Sequence, residues 1–337
     1  MTTLPPTVDL SSIPVEPPPV RTIGPLWRRL AAFLLDGLLV GVAASLIALP
    51  FFEPLSRVGA WGVLIGFCLA LPYYAIFNSQ IGNGQTPGKR FMHLQVVTIS
   101  GAPVSLARSF VRYAVFSLLY FLSGIQLPAS RTPAAVSYSI TAIIAGLGLT
   151  TIYLLLFNRR TGQFLHDLAV GSYVADAHNS GALNVRPFWK GHWTVLAVFF
   201  ACLFTVGLFL RDNFSLHPYT PALMDEIRTI EDMDHVQAAS LTTETNWSSG
   251  AKHTAYVVTV HWSGKTEQLR PLANAIAVLI LAHNPNVNDQ DQLKIAIIRG
   301  YDLGIANASI KYPFADTPTV WRTALQLSDP PPNAAHN

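Results

Sequence analysis

Long apolar runs fill the first two thirds of the chain, and short polar loops separate them. A helix needs about 20 mostly apolar residues to cross a bilayer. The pattern therefore predicts five transmembrane helices, at residues 30–49, 61–77, 113–127, 136–157 and 193–210. The third run is the shortest, and it spans the bilayer only if Arg108 and Arg112 extend their charged ends to the headgroups.

The last third of the chain follows a different pattern. Leu223, Ile227, Ile230 and Met233 recur at helical spacing, which predicts an amphipathic helix. Two alternating segments then predict a β-hairpin, and an apolar helix that is too short to span and two further strands follow. The order αββαββ predicts a small α+β domain with its helices on one face of a sheet.

These elements divide the chain into five predicted parts. They are a disordered, Pro-rich cytoplasmic tail at 1–25, a four-helix membrane domain at 26–180, a fifth transmembrane helix at 181–211, an extracytoplasmic α+β domain at 212–325, and a disordered tail at 326–337. Composition supports a membrane protein, because 50% of the residues are hydrophobic and only 12% are charged. Soluble domains carry about 25% charged residues.

The distribution of Lys and Arg predicts the orientation. With the N-terminus inside, the inner loops hold eleven of these residues up to position 190, and the outer loops hold only Arg57 and Arg131. Cytoplasmic loops are enriched in positive charge. We therefore expect a bacterial inner-membrane protein with its N-terminus in the cytoplasm and its C-terminal domain outside.

The net charge of +3 comes without a basic stripe interleaved with aromatic residues, so we expect no nucleic-acid partner. The sequence shows no catalytic constellation and no cluster of metal-ligand spacing. We therefore predict that the protein is not an enzyme, and that it has no cofactor and no metal site.

Asp36 lies two turns inside the first apolar run, and a carboxylate at that depth costs about 2.5–3.5 kcal/mol on insertion scales. Arg29 lies seven residues earlier on nearly the same helix face, about 10 Å away along the axis at 1.5 Å per residue. Asp36 therefore needs a partner from another segment. We predict a cluster near the inner membrane face, formed by Arg29, Asp36, Arg108, Arg112, His166 and Asp167.

Two further features of the sequence make specific predictions. Residues 86–89, Thr-Pro-Gly-Lys, suit a type II turn because proline presets the second position and glycine accepts a positive φ at the third. Gly37, Gly41 and Ser45 in the first run, and Ala142, Gly146 and Thr150 in the fourth, form two stripes of small residues. Such stripes let helices approach closely, so these two runs are candidates to pack together.

Residues 22–176 resemble the RDD family of integral membrane proteins. The resemblance rests on Arg29 followed by Asp36, on the loop Gln85-Thr86-Pro87-Gly88-Lys89-Arg90, on Arg108 and Arg112 at the start of the third helix, and on the pair His166-Asp167. The loop motif thus comprises Gln85, Thr86, Gly88, Lys89 and Arg90. The resemblance implies a multi-pass membrane protein, and some family members are associated with transport, including cation/proton exchange.

Two functions of different class follow from these features. The first is transport of an ion or a small solute, with Asp36 or Asp167 as a titrating carboxylate and His166 as a pH-sensitive neighbour. The second is a membrane-anchored module whose outer domain binds a periplasmic partner or supports an envelope process. The lipid bilayer is a partner in both, and homo-oligomerisation is open in both. The sequence identifies no substrate.

Overall fold

A computed structural model describes residues 21–123, 132, 134–213, 221–248, 251–283 and 291–327. The chain forms two compact units, and each unit is assembled from three separate segments. The first unit comprises Met1–Asp36, Tyr74–Arg112 and Leu154–Trp189, and the second comprises Gly37–Tyr73, Tyr113–Tyr153 and Lys190–Asn337. The sequence predicted five consecutive parts instead, and that division stays a prediction.

Helices dominate the part of the chain before residue 214. In chain order they are α1 (Leu26–Ala48), α2 (Phe52–Ser56), α3 (Gly62–Phe77), α4 (Pro87–Phe91), α5 (Leu106–Ser123), α6 (Ala134–Phe157), α7 (Leu165–Val170) and α8 (Gly191–Asn213). All five predicted spans therefore overlap long helices, although the last residues of the third predicted span, 124–127, lie outside the described residues. α5 begins seven residues before the predicted span, so Arg108 and Arg112 belong to the helix.

Among the residues that the structure describes, two helical segments are long and apolar enough to cross a membrane. They are Leu26–Ser56 and Ser139–Phe157, with mean hydropathies of 2.3 and 2.2, and Gly62–Phe77 and Gly191–Gly207 are apolar but shorter. Leu34 and Leu38 on α1 expose 68% and 66% of their surface. Large exposed apolar surfaces mark sites of contact with lipid or with other proteins.

A two-stranded antiparallel sheet belongs to the first unit. Its strands are β1 (Leu94–Val97) and β2 (Tyr173–Asp176), and Leu94 pairs with Asp176. Both strands are short, with four residues each. Arg21 is only 3% exposed and donates to the carbonyl oxygen of Asp176, so this residue, which the sequence placed in the disordered tail, belongs to the fold.

The C-terminal domain belongs to the second unit and contains the larger sheet. Its elements are α9 (Pro221–Glu231), β3 (Val236–Ser248), β4 (Ala251–Trp262), α10 (Leu269–His283), β5 (Gln292–Asp302), β6 (Asn307–Asp316) and α11 (Pro318–Leu325). The strand order is β3-β4-β5-β6, with β4 and β5 parallel and the outer pairs antiparallel. The predicted αββαββ order is confirmed, and a third helix, α11, completes it.

The core of this domain lies between the sheet and its helices. Alternate strand residues such as Val258, Val260, Ile295 and Ile297 are fully or almost fully buried, and Ile276 of α10 packs in the same cluster. One face of the sheet therefore carries the core, because alternate residues of a strand share a face.

Close contacts inside the second unit occur at glycines of the apolar helices. A Cβ atom added to Gly66 would lie 1.7 Å from the carbonyl oxygen of Leu303, and one added to Gly41 would lie 3.2 Å from that of Ile305. A Cβ on Gly146 would meet the ring of Phe200, and one on Gly37 would meet nothing within 4 Å. The prediction that the stripes of α1 and α6 pack on each other is therefore wrong. The small residues instead admit the turn between β5 and β6 and an aromatic ring of α8.

Candidate functional site: a buried cluster of charged side chains

Asp36 of α1 is bound by the loop motif. It is 1% exposed and accepts hydrogen bonds from Thr86 Oγ1 at 2.5 Å and from the Gly88 backbone N–H at 2.8 Å. Lys89 Nζ lies 3.8 Å from Asp36 Oδ2. A hydroxyl, a backbone N–H and an ammonium group therefore compensate the carboxylate. These partners offset the free-energy cost of burying its charge in an apolar helix.

The local sequence explains how the loop reaches Asp36. Thr86 caps α4 by accepting from Lys89 N, and Pro87 occupies the first turn, where its missing N–H costs nothing. A Cβ on Gly88 would lie 2.4 Å from the carbonyl oxygen of Ala32 and 2.8 Å from Asp36 Oδ1, so only glycine allows this approach. The predicted type II turn is wrong, because Thr86 and Pro87 start a short helix here.

The remaining residues of the loop motif have different surroundings. Gln85 donates to the carbonyl of Leu94 at 2.9 Å and so holds the loop to β1. Arg90 is exposed. Burial, together with the nearby charge of Arg112, lowers the pKa of Lys89 to about 8, and Asp36 opposes both effects. Lys89 therefore exchanges its proton close to physiological pH.

Asp167 forms the second centre of the cluster. It is fully buried, and its Oδ1 accepts from Arg112 Nε at 2.8 Å and from Ser172 Oγ at 3.0 Å. Its Oδ2 accepts from the Phe164 backbone N–H at 3.3 Å and lies 3.4 Å from a terminal nitrogen of Arg29. All three segments of the first unit therefore meet at one carboxylate.

The charges fix the protonation states at this centre. Burial alone would raise the pKa of Asp167, but the guanidinium groups of Arg112 and Arg29 hold it well below its usual range. Burial lowers the pKa of His166 to about 3 although Asp167 opposes this effect. His166 Nε2 lies 3.5 Å from Asp167 Oδ2, and because the imidazole is neutral at physiological pH, this contact is not an ion pair.

The structure brings most of the predicted cluster together, but with different partners for Asp36. We expected Asp36 to pair with Arg108, Arg112 or the His-Asp segment, and instead it binds the loop motif. Arg112 binds Asp167. Lys89 links the two centres electrostatically, since its pKa also depends on Arg112 and Asp167. Arg108 is exposed, and no ion pair described in the structure includes it.

An ion pair at a third carboxylate, Asp176, was missed by the sequence reasoning. Arg28 Nη1 lies 2.6 Å from Asp176 Oδ2, and the same guanidinium donates to the carbonyl oxygens of Met92 and His93. Asp176 also accepts from the His178 backbone N–H at 2.9 Å. The available signal was the Arg28-Arg29 pair, because adjacent residues on a helix point in different directions and need different partners.

The contacts described for both buried carboxylates come from N–H groups, hydroxyls and cationic side chains. Within the described ranges there is also no group of three or more His, Cys, Asp or Glu residues that could hold a metal ion. The arrangement therefore ties α1, the loop motif, α5 and the segment 158–176 together by charge.

An apolar helical unit whose charged side chains lie in a buried cluster defines a membrane-associated helical protein. Residues 23–171 match the RDD family, so this part of the chain is an RDD family domain, which confirms the resemblance drawn from the motifs. The chain is similar to an uncharacterized protein, YckC, of Bacillus subtilis (strain 168). The two are 29% identical over 151 residues, which cover 45% of this chain and 83% of that relative.

No solved structure matches the chain significantly. The C-terminal α+β domain lies beyond the RDD domain.

Proposed function

We propose that the protein is a multi-pass inner-membrane protein whose RDD domain is a rigid anchor and whose C-terminal domain binds a partner outside the cytoplasm. One observation carries the first half of this proposal: Asp36 and Asp167 are both buried and both surrounded by hydrogen-bond donors. A site for a hard cation needs several oxygen ligands. Donor-lined carboxylates favour an internal clamp between helices instead.

The C-terminal domain supports the second half. It has its own hydrophobic core, which combines residues from three helices and four strands. An anchor alone needs no such domain, and function in multi-part proteins resides in sites that the fold presents. We infer that partner binding belongs to this domain.

The proposed topology has five spans, with the N-terminus inside. Five long helices coincide with the predicted spans, and the distribution of Lys and Arg favours this orientation. A reporter enzyme that is active only outside the cytoplasm, fused after Asn337, tests it. We expect activity from this fusion and none from a fusion after Lys190. The opposite pattern would contradict the orientation.

Cation/proton exchange is the second candidate, and one observation favours it. Lys89 has a pKa of about 8 and lies 3.8 Å from the buried Asp36. Loss of the Lys89 proton would leave the Asp36 carboxylate with one positive neighbour fewer, and a cation could then replace it. Exchange at this pair is the form of transport that the geometry best accommodates.

Proteoliposomes that enclose a pH-sensitive dye separate the two candidates. The anchor proposal predicts no proton flux when a Na⁺ or K⁺ gradient is imposed on the wild-type protein. Asp36→Asn and Lys89→Met test the candidate pair, and Asp225→Asn, at an exposed position on α9, is the matched control. If proton flux occurs in the wild type and in the control but is absent from both test variants, the anchor proposal is wrong and the protein is an exchanger.

A further inference from the structure

A cavity of about 410 Å³ lies in the first unit, where the end of α6 approaches the start of α1. Sites for small organic molecules typically have volumes of 300–1,000 Å³. The cavity wall is made of two arginines, a buried asparagine and a larger number of apolar side chains. Its lining includes Leu26, Arg29, Leu155, Leu156, Asn158 and Arg159.

Arg29 contributes a buried hydrogen-bond donor to this wall. Its side chain is 8% exposed, and its Nε has no hydrogen-bond partner in the structure. The terminal nitrogens donate to the Gly162 carbonyl and towards Asp167, and the guanidinium lies 4.7 Å from the centre of the Phe164 ring. An unsatisfied buried donor costs about 1–3 kcal/mol, so an acceptor oxygen entering the cavity would be bound favourably.

Arg159 adds a second positive charge at the exposed rim of the cavity. Its Nε donates to the Leu156 carbonyl at 3.3 Å, which holds the side chain beside the opening. Its terminal nitrogens make no hydrogen bond with the residues that the structure describes. No acidic residue lines the cavity. Two guanidinium groups without a carboxylate in the same wall favour an anion, and arginine matches phosphate well.

The rest of the wall is apolar and partly open. Leu26 and Leu156 expose 40% and 51% of their surface, and Leu155 is half-buried. A wall that combines positive charge with leucines matches a molecule that has an anionic head and a hydrocarbon chain. Basic pockets beside membrane helices on the cytoplasmic side bind such headgroups.

We propose that this cavity binds an anionic phospholipid, with its phosphate between Arg29 and Arg159 and the start of an acyl chain along Leu26, Leu155 and Leu156. The inference rests on the proposed membrane insertion, because insertion brings the cavity to the headgroups. The lipid then supplies the acceptor that Arg29 Nε lacks. It also joins the ends of α1 and α6 at the surface of the bilayer.

The test uses the full-length protein in detergent micelles with added dioleoyl phosphatidylglycerol or dioleoyl phosphatidylcholine. We expect phosphatidylglycerol to raise Tm clearly more than phosphatidylcholine does. Arg159→Gln should remove most of this difference, since Arg159 is exposed and its replacement does not disturb the fold. Arg108→Gln is the matched control, because Arg108 is also an exposed arginine near a helix start but does not line the cavity.

If Arg159→Gln and Arg108→Gln reduce the difference in Tm shift equally, phosphatidylglycerol is attracted by positive charge in general. This result would overturn the proposed site. Inorganic phosphate at the same concentration distinguishes the source of the anion, and an equal Tm shift from phosphate alone would overturn the lipid. Carbonate extraction of native membranes tests insertion separately. If the protein stays in the membrane but shows no preference for phosphatidylglycerol, only the lipid site fails. If it is released, the proposed insertion fails.

Discussion

Arg112 Nε donates to Asp167 Oδ1 at 2.8 Å and joins two residues that lie 55 positions apart in the sequence. Both side chains are buried, and the second arginine, Arg29, lies on the other oxygen of the same carboxylate. The negative charge of Asp167 thus compensates two cations, so the removal of that one charge has a larger effect than the removal of either arginine.

Asp167→Asn should therefore destabilise the protein strongly. Removal of one partner of a buried ion pair costs about 3–5 kcal/mol, because the other charge stays buried without compensation. Thermal unfolding in detergent micelles measures the effect as a fall in Tm. Arg108→Gln, at an exposed position outside the described ion pairs, should change stability by no more than about 0.5 kcal/mol. Equal Tm values for the two variants would contradict a stabilising role of Asp167.

Gly88→Ala should weaken the contact between the loop motif and α1. The new Cβ would lie 2.4 Å from the Ala32 carbonyl oxygen, so the loop must move away and the hydrogen bond from Gly88 N to Asp36 lengthens. Overpacking of this kind costs about 1–3 kcal/mol. Gly148→Ala is the control, because a Cβ there meets nothing within 4 Å. If Gly88→Ala unfolds at the same temperature as the control, the close approach is not required.

Lys89 should titrate near pH 8, well below its ordinary pKa of 10.5. Between these two values the unfolded chain holds a proton that the folded chain has released, so the contribution of Lys89 to the free energy of unfolding rises with pH. Competitive labelling of the amine, read by mass spectrometry at residue 89, gives the midpoint. In Asp36→Asn the midpoint should move lower, because the negative charge that raises the pKa is gone.

Asp176→Asn is the control for this titration. Asp176 is paired with Arg28 and is absent from the charges that act on Lys89, so the midpoint should stay near pH 8. A midpoint near 10.5 in the wild type, or one that Asp36→Asn leaves unchanged, would contradict the burial of the ammonium group beside Asp36.

Gly66→Ala should disturb the packing of α3 on the turn between β5 and β6. Its Cβ would lie 1.7 Å from the Leu303 carbonyl oxygen, a backbone atom that cannot rotate away. We expect a loss of about 3 kcal/mol, at the upper end of the usual cost of overpacking. Tm in micelles measures it, and Gly37→Ala, with open space around the new Cβ, serves as control. Similar Tm values would show that the turn does not pack on α3.

The sequence predicted the burial of Asp36 but not its partners. A carboxylate within an apolar helix must be compensated, and this requirement is independent of the rest of the fold. Its partners include the backbone N–H of Gly88, and a backbone group leaves no side-chain signature. The type II turn predicted at residues 86–89 was wrong for the same reason. The contact of Gly88 N–H with Asp36 and the cap by Thr86 together favour the start of a helix there, and the backbone contact leaves no mark in the sequence.

The stripes of small residues show a second limit of sequence patterns. Gly37 and Gly41 predicted a close approach to α1, but space is open at Gly37, and glycine carries no information about which segment comes close at Gly41. A Cβ atom at Gly41 would lie 3.2 Å from the carbonyl oxygen of Ile305, a residue of the C-terminal domain that is over 260 positions away in the sequence. By contrast, the strands of that domain were predictable, because apolar and polar residues alternate within the segment that forms each strand.

The turn that seats Leu303 against Gly66 has a consequence for how the protein is made. A chain is synthesised from its N-terminus, so α3 leaves the ribosome long before residues 303–305 have been synthesised. Until the C-terminal domain has folded, the glycine surfaces of α1 and α3 stay uncovered. A later part of the chain therefore completes the packing of an earlier one, and a chain terminated before residue 303 would leave these surfaces uncovered.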